Sequence, residues 1–342
     1  MDGDSLPTVS LQEKRQALCK CIRSDMHAAD VRWSLFVAAA QSYKYDTILR
    51  PFPPHFVCGD VKEIDRLRDV MTQMVAFPTL LSLLENPTVD SRNRESLIEL
   101  LYWALIIQDD PGFRTLSKEE IDEVISKAPG GKVTRPHFIF AVDHKSTNEK
   151  NKRFLELSKG HKTFWGYHGS RLENFYSILC HGLLSTLSKR DIYGTGSYLA
   201  SDYNTALLYS QSGSGWGGSL IGSGLSCMVL CEIVEHPDVI YEKQDAVTSK
   251  AAEDSQFGPV PQKYILVKNS DLVKIRYLMV DGRNPHPMTC RKNADDSMMG
   301  WFSKHKLLTL MLGYVLLLSA VGISNSPTVM RYYRMLLRRW NH

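Results

Sequence analysis

Apolar positions change their period twice along this chain. From about residue 10 to residue 128 they recur at helical spacing. Leu11 to Gln41 is rich in Ala, Leu, Lys and Arg, and Pro51, Pro53 and Pro54 mark a break after it. Between Val61 and Leu84, the residues Ile64, Leu67, Val70, Met71, Met74 and Val75 fit one helix face. Leu97, Leu100, Leu101 and Leu105 predict a third helix over Arg94–Gln108. Ser117-Lys-Glu-Glu120 is a capping-box text that opens a fourth, running to Lys127. Pro129-Gly130-Gly131 then closes the helical region.

After Pro136 the texture is that of strands. Runs at Phe138–Val142, Thr163–His168, Ser197–Ala200, Leu225–Val234, Tyr264–Val267 and Lys274–Val280 are separated by Gly, Ser and Pro turns. Few helices interrupt them. Ser170-Arg-Leu-Glu173 reads as a second capping box opening a helix to about Cys180, and Asp202 as the cap of a short helix reaching Tyr209. Lys145–Lys162 reads as a Lys-rich solvated loop. The expected fold is α+β: a helical domain at 1–130, a mixed, mostly antiparallel β domain at 135–281, and a polar, proline-bearing linker at 282–303.

The third texture is continuous. Leu307 to Ser324 carries no charge, and the next charged residue is Arg331. Eighteen helical residues at about 1.5 Å each span about 27 Å, close to the thickness of a bilayer's hydrocarbon core. Lys304, His305 and Lys306 flank one end; Trp301, Phe302, Tyr332 and Tyr333 stand where interfacial aromatics belong. A transmembrane helix is expected at 304–324, followed by a basic tail at 325–342. The N-terminus has early acids and no apolar run, so it is not a secretory signal. A span this late inserts after synthesis and leaves the bulk of the chain in the cytosol, with the tail lumenal. The tail's Arg residues oppose the positive-inside rule, but moving the whole folded part across is the harder alternative. Basic tails associate with the endoplasmic reticulum or nuclear envelope; physics alone does not separate these from the outer mitochondrial membrane.

Charge acquires its meaning from that division. The net charge is +4, and Asn325–His342 alone holds four Arg and no acid. The remainder is neutral, with 41 − 4 = 37 bases against 37 acids, so it lacks the footprint of a nucleic-acid binder. The seven Cys are scattered and odd in number, with no CxxC pair. They read as reduced thiols, and no metal site is expected.

Three texts carry chemistry. Tyr167-His168-Gly169-Ser170 closes a strand; Gly194-Thr-Gly-Ser-Tyr198-Leu-Ala-Ser-Asp202 precedes Tyr209; Pro261-Gln-Lys-Tyr264-Ile-Leu-Val opens a late strand. A His beside a Gly at a strand end offers an imidazole and approachable backbone. Two Tyr eleven residues apart are suited to sandwich a flat ring. Gly213-Ser-Gly-Trp-Gly-Gly218 matches GxGxxG, but nothing helical follows it, so it reads as a mobile loop rather than a dinucleotide fingerprint.

Taken together and in this order, the three texts resemble the catalytic domain of the poly(ADP-ribose) polymerase family, the diphtheria-toxin-like ADP-ribosyltransferases, over about residues 135–281. The helical region and the late span narrow the likeness to a tail-anchored, mono-transferring branch. The resemblance implies NAD as ADP-ribose donor and no metal. It implies that His168 bonds a hydroxyl of the adenosine ribose and that Gly169, with Ser170 beside it, holds the nicotinamide carboxamide. Tyr198 and Tyr209 would sandwich the nicotinamide. Tyr264 would take the third place of the His–Tyr–Glu triad of polymerising members, with Lys263 as a lesser candidate. His168, Tyr198 and Tyr264 are thus the expected catalytic set.

Two departures matter. Tyr264 is a poor base at neutral pH, since a tyrosine phenol ordinarily titrates at about pH 10, which points to single additions rather than polymer. Ala206 stands where many members have a carboxamide-binding Ser, which weakens NAD binding. The implied partners are NAD, proteins at or near the membrane including the chain itself, and the bilayer through 304–324. Two rival readings stay open: an inactive NAD-binding pseudoenzyme, and a membrane-anchored adaptor acting through its helical region. That region is either regulatory or a stabilising scaffold.

Overall fold

A computed structural model describes residues 9–86, 94–131, 133–183, 194–241 and 263–283. The chain divides into two units, Met1–His286 and Pro287–His342, and every described residue belongs to the first. The expected span at 304–324 and the tail at 325–342 therefore lie outside the described residues. Among the described residues, no helix is long and apolar enough to cross a membrane.

The helical region is built from shorter pieces than its periodicity predicts. Helices α1 (Leu11–Ser24) and α2 (Met26–Gln41) meet at Asp25, whose backbone leaves the helical region at φ −157° and ψ 91°. Asp25 caps α2 by accepting from the Ala28 N–H at 2.9 Å. The same carboxylate accepts from the N–H and the hydroxyl of Thr115, each at 2.7 Å. The cap is local, three residues apart, whereas the Thr115 donors, ninety residues away, have no local signature. The Val61–Leu84 stretch divides as well. A hairpin of β1 (Val57–Cys58) and β2 (Val61–Lys62) precedes helices Ile64–Thr72 and Phe77–Glu85. Helix Glu95–Tyr102 ends in a π turn, Trp103–Ile107. The Ser117 capping box forms with both legs and starts helix Lys118–Lys127.

Helix α2 is mostly apolar with no single polar face, as expected of a helix enclosed on most sides. Twelve of its sixteen residues are buried, Asp30 and Ser34 among them. It touches β3 (Gly112–Thr115), helix Phe175–His181 and the 3₁₀ turn Leu172–Asn174.

Nine strands among the described residues form one sheet. They are β3, β4 (Phe138–Asp143), β5 (Thr163–Gly169), β6 (Ser197–Ala200), β7 (Gly213–Ser214), β8 (Gly224–Val234), β9 (Val239–Tyr241), β10 (Tyr264–Val267) and β11 (Val273–Arg283). The order is β3-β4-β11-β8-β5-β6-β10-β9, with β7 on β8. Every pairing is antiparallel. The edge strand β3 comes from the stretch read as helical, so that stretch supplies a strand to the sheet. Alternation along the strands gives the sheet two apolar faces. Phe140, Val142, Val229, Cys231, Ile265 and Val267 share a core with α1 and α2. Ile139, Ala141, Tyr167, Met228 and Leu230 pack with helices Lys118–Lys127 and Tyr203–Leu207.

Two further expectations are corrected. The Lys-rich stretch contains a helix, Glu149–Leu157, capped by Asn148 and held by the buried Phe154. The second capping box does not form: Ser170 Oγ accepts from Asn174 Nδ2 at 2.9 Å. The chain instead enters a 3₁₀ turn before helix Phe175–His181, because Leu172 and Phe175 are both buried in the core.

Candidate active site

Strand β5 carries the first text. It pairs with β8 from Thr163 to Gly169 but with β6 only at Tyr167↔Ala200, so His168 and Gly169 have no β6 partner. Tyr167 anchors the strand. It is buried, its hydroxyl donates to the Pro129 carbonyl at 3.0 Å, and its ring meets Tyr203 edge-on at 5.8 Å.

His168 Nδ1 lies 2.9 Å from the Tyr198 carbonyl oxygen. A carbonyl only accepts, so Nδ1 carries the proton. Burial lowers the imidazole's pKa, partly offset by that bond. The ring is therefore neutral near pH 7, and Nε2 is left as an acceptor for a ligand hydroxyl.

Gly169 sits against the end of helix Tyr203–Leu207. A Cβ there would meet the Ala206 carbonyl oxygen at 2.1 Å and Ser210 Oγ at 2.5 Å, so no other residue fits without backbone movement. That helix starts as expected at Asp202, which accepts from the Thr205 N–H at 3.2 Å and its hydroxyl at 2.9 Å. It ends at Leu207, two residues short of the expected Tyr209. Asp202 also lies 3.5 Å from Lys263 Nζ. Desolvation raises its pKa, but the Thr205 bonds and Lys263 together hold it below the usual range.

Tyr198 and Tyr264 come together through strand register. Tyr264 pairs with Ala200 and Leu266 with Tyr198 across β6 and β10. Residues opposite each other, and residues two apart on one strand, share a face, so Tyr198, Ala200 and Tyr264 do. The two glycines before Tyr198 serve this junction. Gly194 has φ +111° and accepts from the Tyr198 hydroxyl at 2.6 Å, and a Cβ on Gly196 would meet the Val267 carbonyl at 2.7 Å. Tyr209 reaches the same place from the helix side: its hydroxyl lies 3.0 Å from that of Tyr264.

Two features escape the sequence reading. Ser210 is buried, and its hydroxyl, bonded to the Ala206 carbonyl at 3.3 Å, lies alongside Gly169. Only the approach of β5 brings it there, and no spacing signals it. The Gly213–Gly218 loop is also better fixed than its composition suggests. Trp216 is buried, donates from Nε1 to Asp30 on α2 at 3.0 Å, and stands edge-on to Phe77 at 5.9 Å. The Leu220 N–H donates to the other oxygen of Asp30. The mobile-loop reading is thereby corrected, since a Gly- and Ser-rich text cannot display a distant carboxylate.

Residues 118–264 match the poly(ADP-ribose) polymerase catalytic domain, and residues 20–105 match the ARTD15 N-terminal domain. Protein mono-ADP-ribosyltransferase PARP16 of Homo sapiens is 34% identical over 322 residues, covering 92% of this chain and 95% of the relative. The protein of the same name from Mus musculus is 32% identical over 332 residues, covering 95% and 98%. The chain belongs to the poly(ADP-ribose) polymerase family. As a family member it is an NAD-dependent ADP-ribosyltransferase, with NAD as its substrate. Asp30 lies in the first matched stretch and Trp216 in the second, so their bond joins the two. Among the described residues, no group of three or more His, Cys, Asp and Glu is placed to hold a metal ion.

Proposed function

We propose that this chain transfers single ADP-ribose units from NAD to protein side chains, its own included, and releases nicotinamide. The observation that supports the reading is Tyr264, a phenol bonded to Tyr209 at the start of β10, where this reading puts the carboxylate of polymerising members. In this reading His168 Nε2 accepts from the adenosine ribose, and the Gly169 backbone, next to Ser170, holds the carboxamide. Tyr198 and Tyr209 sandwich the nicotinamide ring. Tyr264 contacts the nicotinamide ribose. The bond to ribose C1′ breaks with its electron pair leaving on nicotinamide, which departs neutral, and an acceptor nucleophile bonds C1′ from the opposite side, a protonated acceptor giving its proton to solvent. Holding the leaving ring still and stabilising the charge that develops on the sugar are the protein's contributions. A phenol is too weak a base to activate a sugar hydroxyl repeatedly, so the product stops at one unit.

The same proposal divides the chain into a helical regulatory domain at 1–130, the catalytic domain at 135–281, a linker at 282–303, a span at 304–324 and a lumenal tail at 325–342. The uncharged run Leu307–Ser324 supports a membrane anchor, and the basic tail after it supports the endoplasmic reticulum or nuclear envelope, with the catalytic domain facing the cytosol. Tethering raises the effective concentration of proteins on the same membrane.

The test uses the full-length chain in detergent micelles, labelled NAD, and intact-protein mass spectrometry, beside a Tyr198→Ala sample. Single ADP-ribose additions that disappear in the variant are expected. A polymer ladder refutes the role given to Tyr264. Bound NAD without label makes the chain a pseudoenzyme, and neither binding nor label leaves an adaptor.

A further inference from the structure

Tyr209 and Tyr264 approach each other from different parts of the fold. Tyr264 opens β10 and is fixed by its pairing with Ala200. Tyr209 stands just after helix Tyr203–Leu207, where its N–H donates to the Ala206 carbonyl at 3.0 Å. The next residue, Ser210, is buried, and its carbonyl accepts from Ser226 Oγ at 2.6 Å on β8. Both backbones are thus tied to the sheet, and the two hydroxyls close the distance between them at 3.0 Å. The Tyr209 side is otherwise open: Tyr209 is 47% exposed and its neighbour Leu208 76%. Surface packing does not explain why an exposed ring should be tied down.

A phenol has one proton to give and two lone pairs to receive with. In the pair, one hydroxyl donates to the other, and the accepting hydroxyl keeps its own proton for a third group. Accepting a bond also polarises that O–H and makes it a stronger donor. Tyr264 is the member that shares a sheet face with Tyr198, the ring proposed to lie against the nicotinamide.

We propose that Tyr209 is a positioning residue as well as a stacking one: its hydroxyl donates to Tyr264 and aims the Tyr264 proton at the nicotinamide ribose. This rests on the mono-transferase reading above. The clasp makes ring stacking and sugar contact interdependent, because the ring that covers the nicotinamide is the one that orients the sugar's donor. It also gives Tyr264 a defined task that a carboxylate, having no proton to donate, does not perform.

The test is a double-mutant cycle on the full-length chain in detergent, with kcat and NAD KM measured for single addition by wild type, Tyr209→Phe, Tyr264→Phe and the double variant. Phe keeps each ring and removes only the hydroxyl. Each single variant is expected to lose about tenfold in kcat with KM changed less than about twofold, the pattern of a contact realised at the transition state. The double variant is expected to be no worse than the singles, because the two hydroxyls act as one unit. A fourth variant, Tyr209→Ala, removes the ring as well and is expected to raise KM, which separates stacking from positioning. Losses that multiply in the double variant overturn the proposal. So does a Tyr209→Phe chain with wild-type kcat, or one whose deficit lies in KM or thermal stability alone. A wild-type chain that binds NAD without labelling itself refutes the mono-transferase reading and the clasp with it; a labelling wild type with independent losses refutes only the clasp.

Discussion

At Asp30 a carboxylate lies inside the protein and receives the Trp216 Nε1–H, the Leu220 N–H and, at 3.2 Å, the Ser34 hydroxyl. At the site, hydrogen bonds join His168 to the Tyr198 backbone and Tyr209 to Tyr264, and all four residues are only half-buried or exposed. The Asp30 junction satisfies its oxygens with donors from the protein alone. At the site, the neutral imidazole of His168 holds an acceptor, Nε2, that has no partner among the described residues. The comparison teaches how to separate architecture from chemistry in this molecule. A polar centre that is enclosed and saturated joins parts of the fold, whereas one with capacity facing the open side is available to a substrate.

The largest test of that distinction is Asp30→Ala. It leaves buried donors unpaired, each worth about 1–3 kcal/mol, so a loss of roughly 3–5 kcal/mol in unfolding free energy is expected from chemical denaturation. A loss below about 1 kcal/mol shows that water reaches the junction and that it is not saturated by the protein. Gly169→Ala strikes the site instead. The added methyl meets the Ala206 backbone, and a displacement of that kind is expected to weaken NAD binding about tenfold or more by isothermal titration calorimetry. Unchanged affinity removes Gly169 from the carboxamide role.

The smallest effect is in pH. The folded pKa of His168 lies below its ordinary value of 6.5, chiefly through burial. A depressed folded pKa means that the stability it contributes is present above about pH 6.5 and is lost as pH falls through the folded value. His144 and His181 are shifted in the same direction, so unfolding curves report all three. NAD affinity isolates His168, because protonation turns Nε2 from acceptor to donor. Affinity is expected to hold from pH 8 to about 6.5 and to fall below that. Tighter binding in acid contradicts the assigned tautomer.

Much of the fold is legible in the sequence. The Ser117 box, the Asp202 cap and most strand positions follow from residues three apart or alternating by two, and those interactions are local. The failures share one cause. Asp25 breaks a helix because Thr115 is there to bond it, Ser170 abandons its box because Leu172 and Phe175 fix the turn, and Trp216 stills a glycine loop because Asp30 receives it. In each case the deciding fact is tertiary: a partner far along the chain for Asp25 and Trp216, and burial in the core for Leu172 and Phe175.

The site divides along the same line. By itself the sequence determined which residue types are present: an imidazole beside a glycine, tyrosines at set spacings, a phenol opening a late strand, and an uncharged run at 307–324. Side-chain chemistry and short-range geometry are encoded residue by residue. Only the tertiary structure decided that Ser210 lies beside Gly169, that Tyr209 bonds Tyr264, and that α2 holds the 213–222 loop. Those contacts depend on strand register and on the burial of both sheet faces, which belong to the whole chain at once.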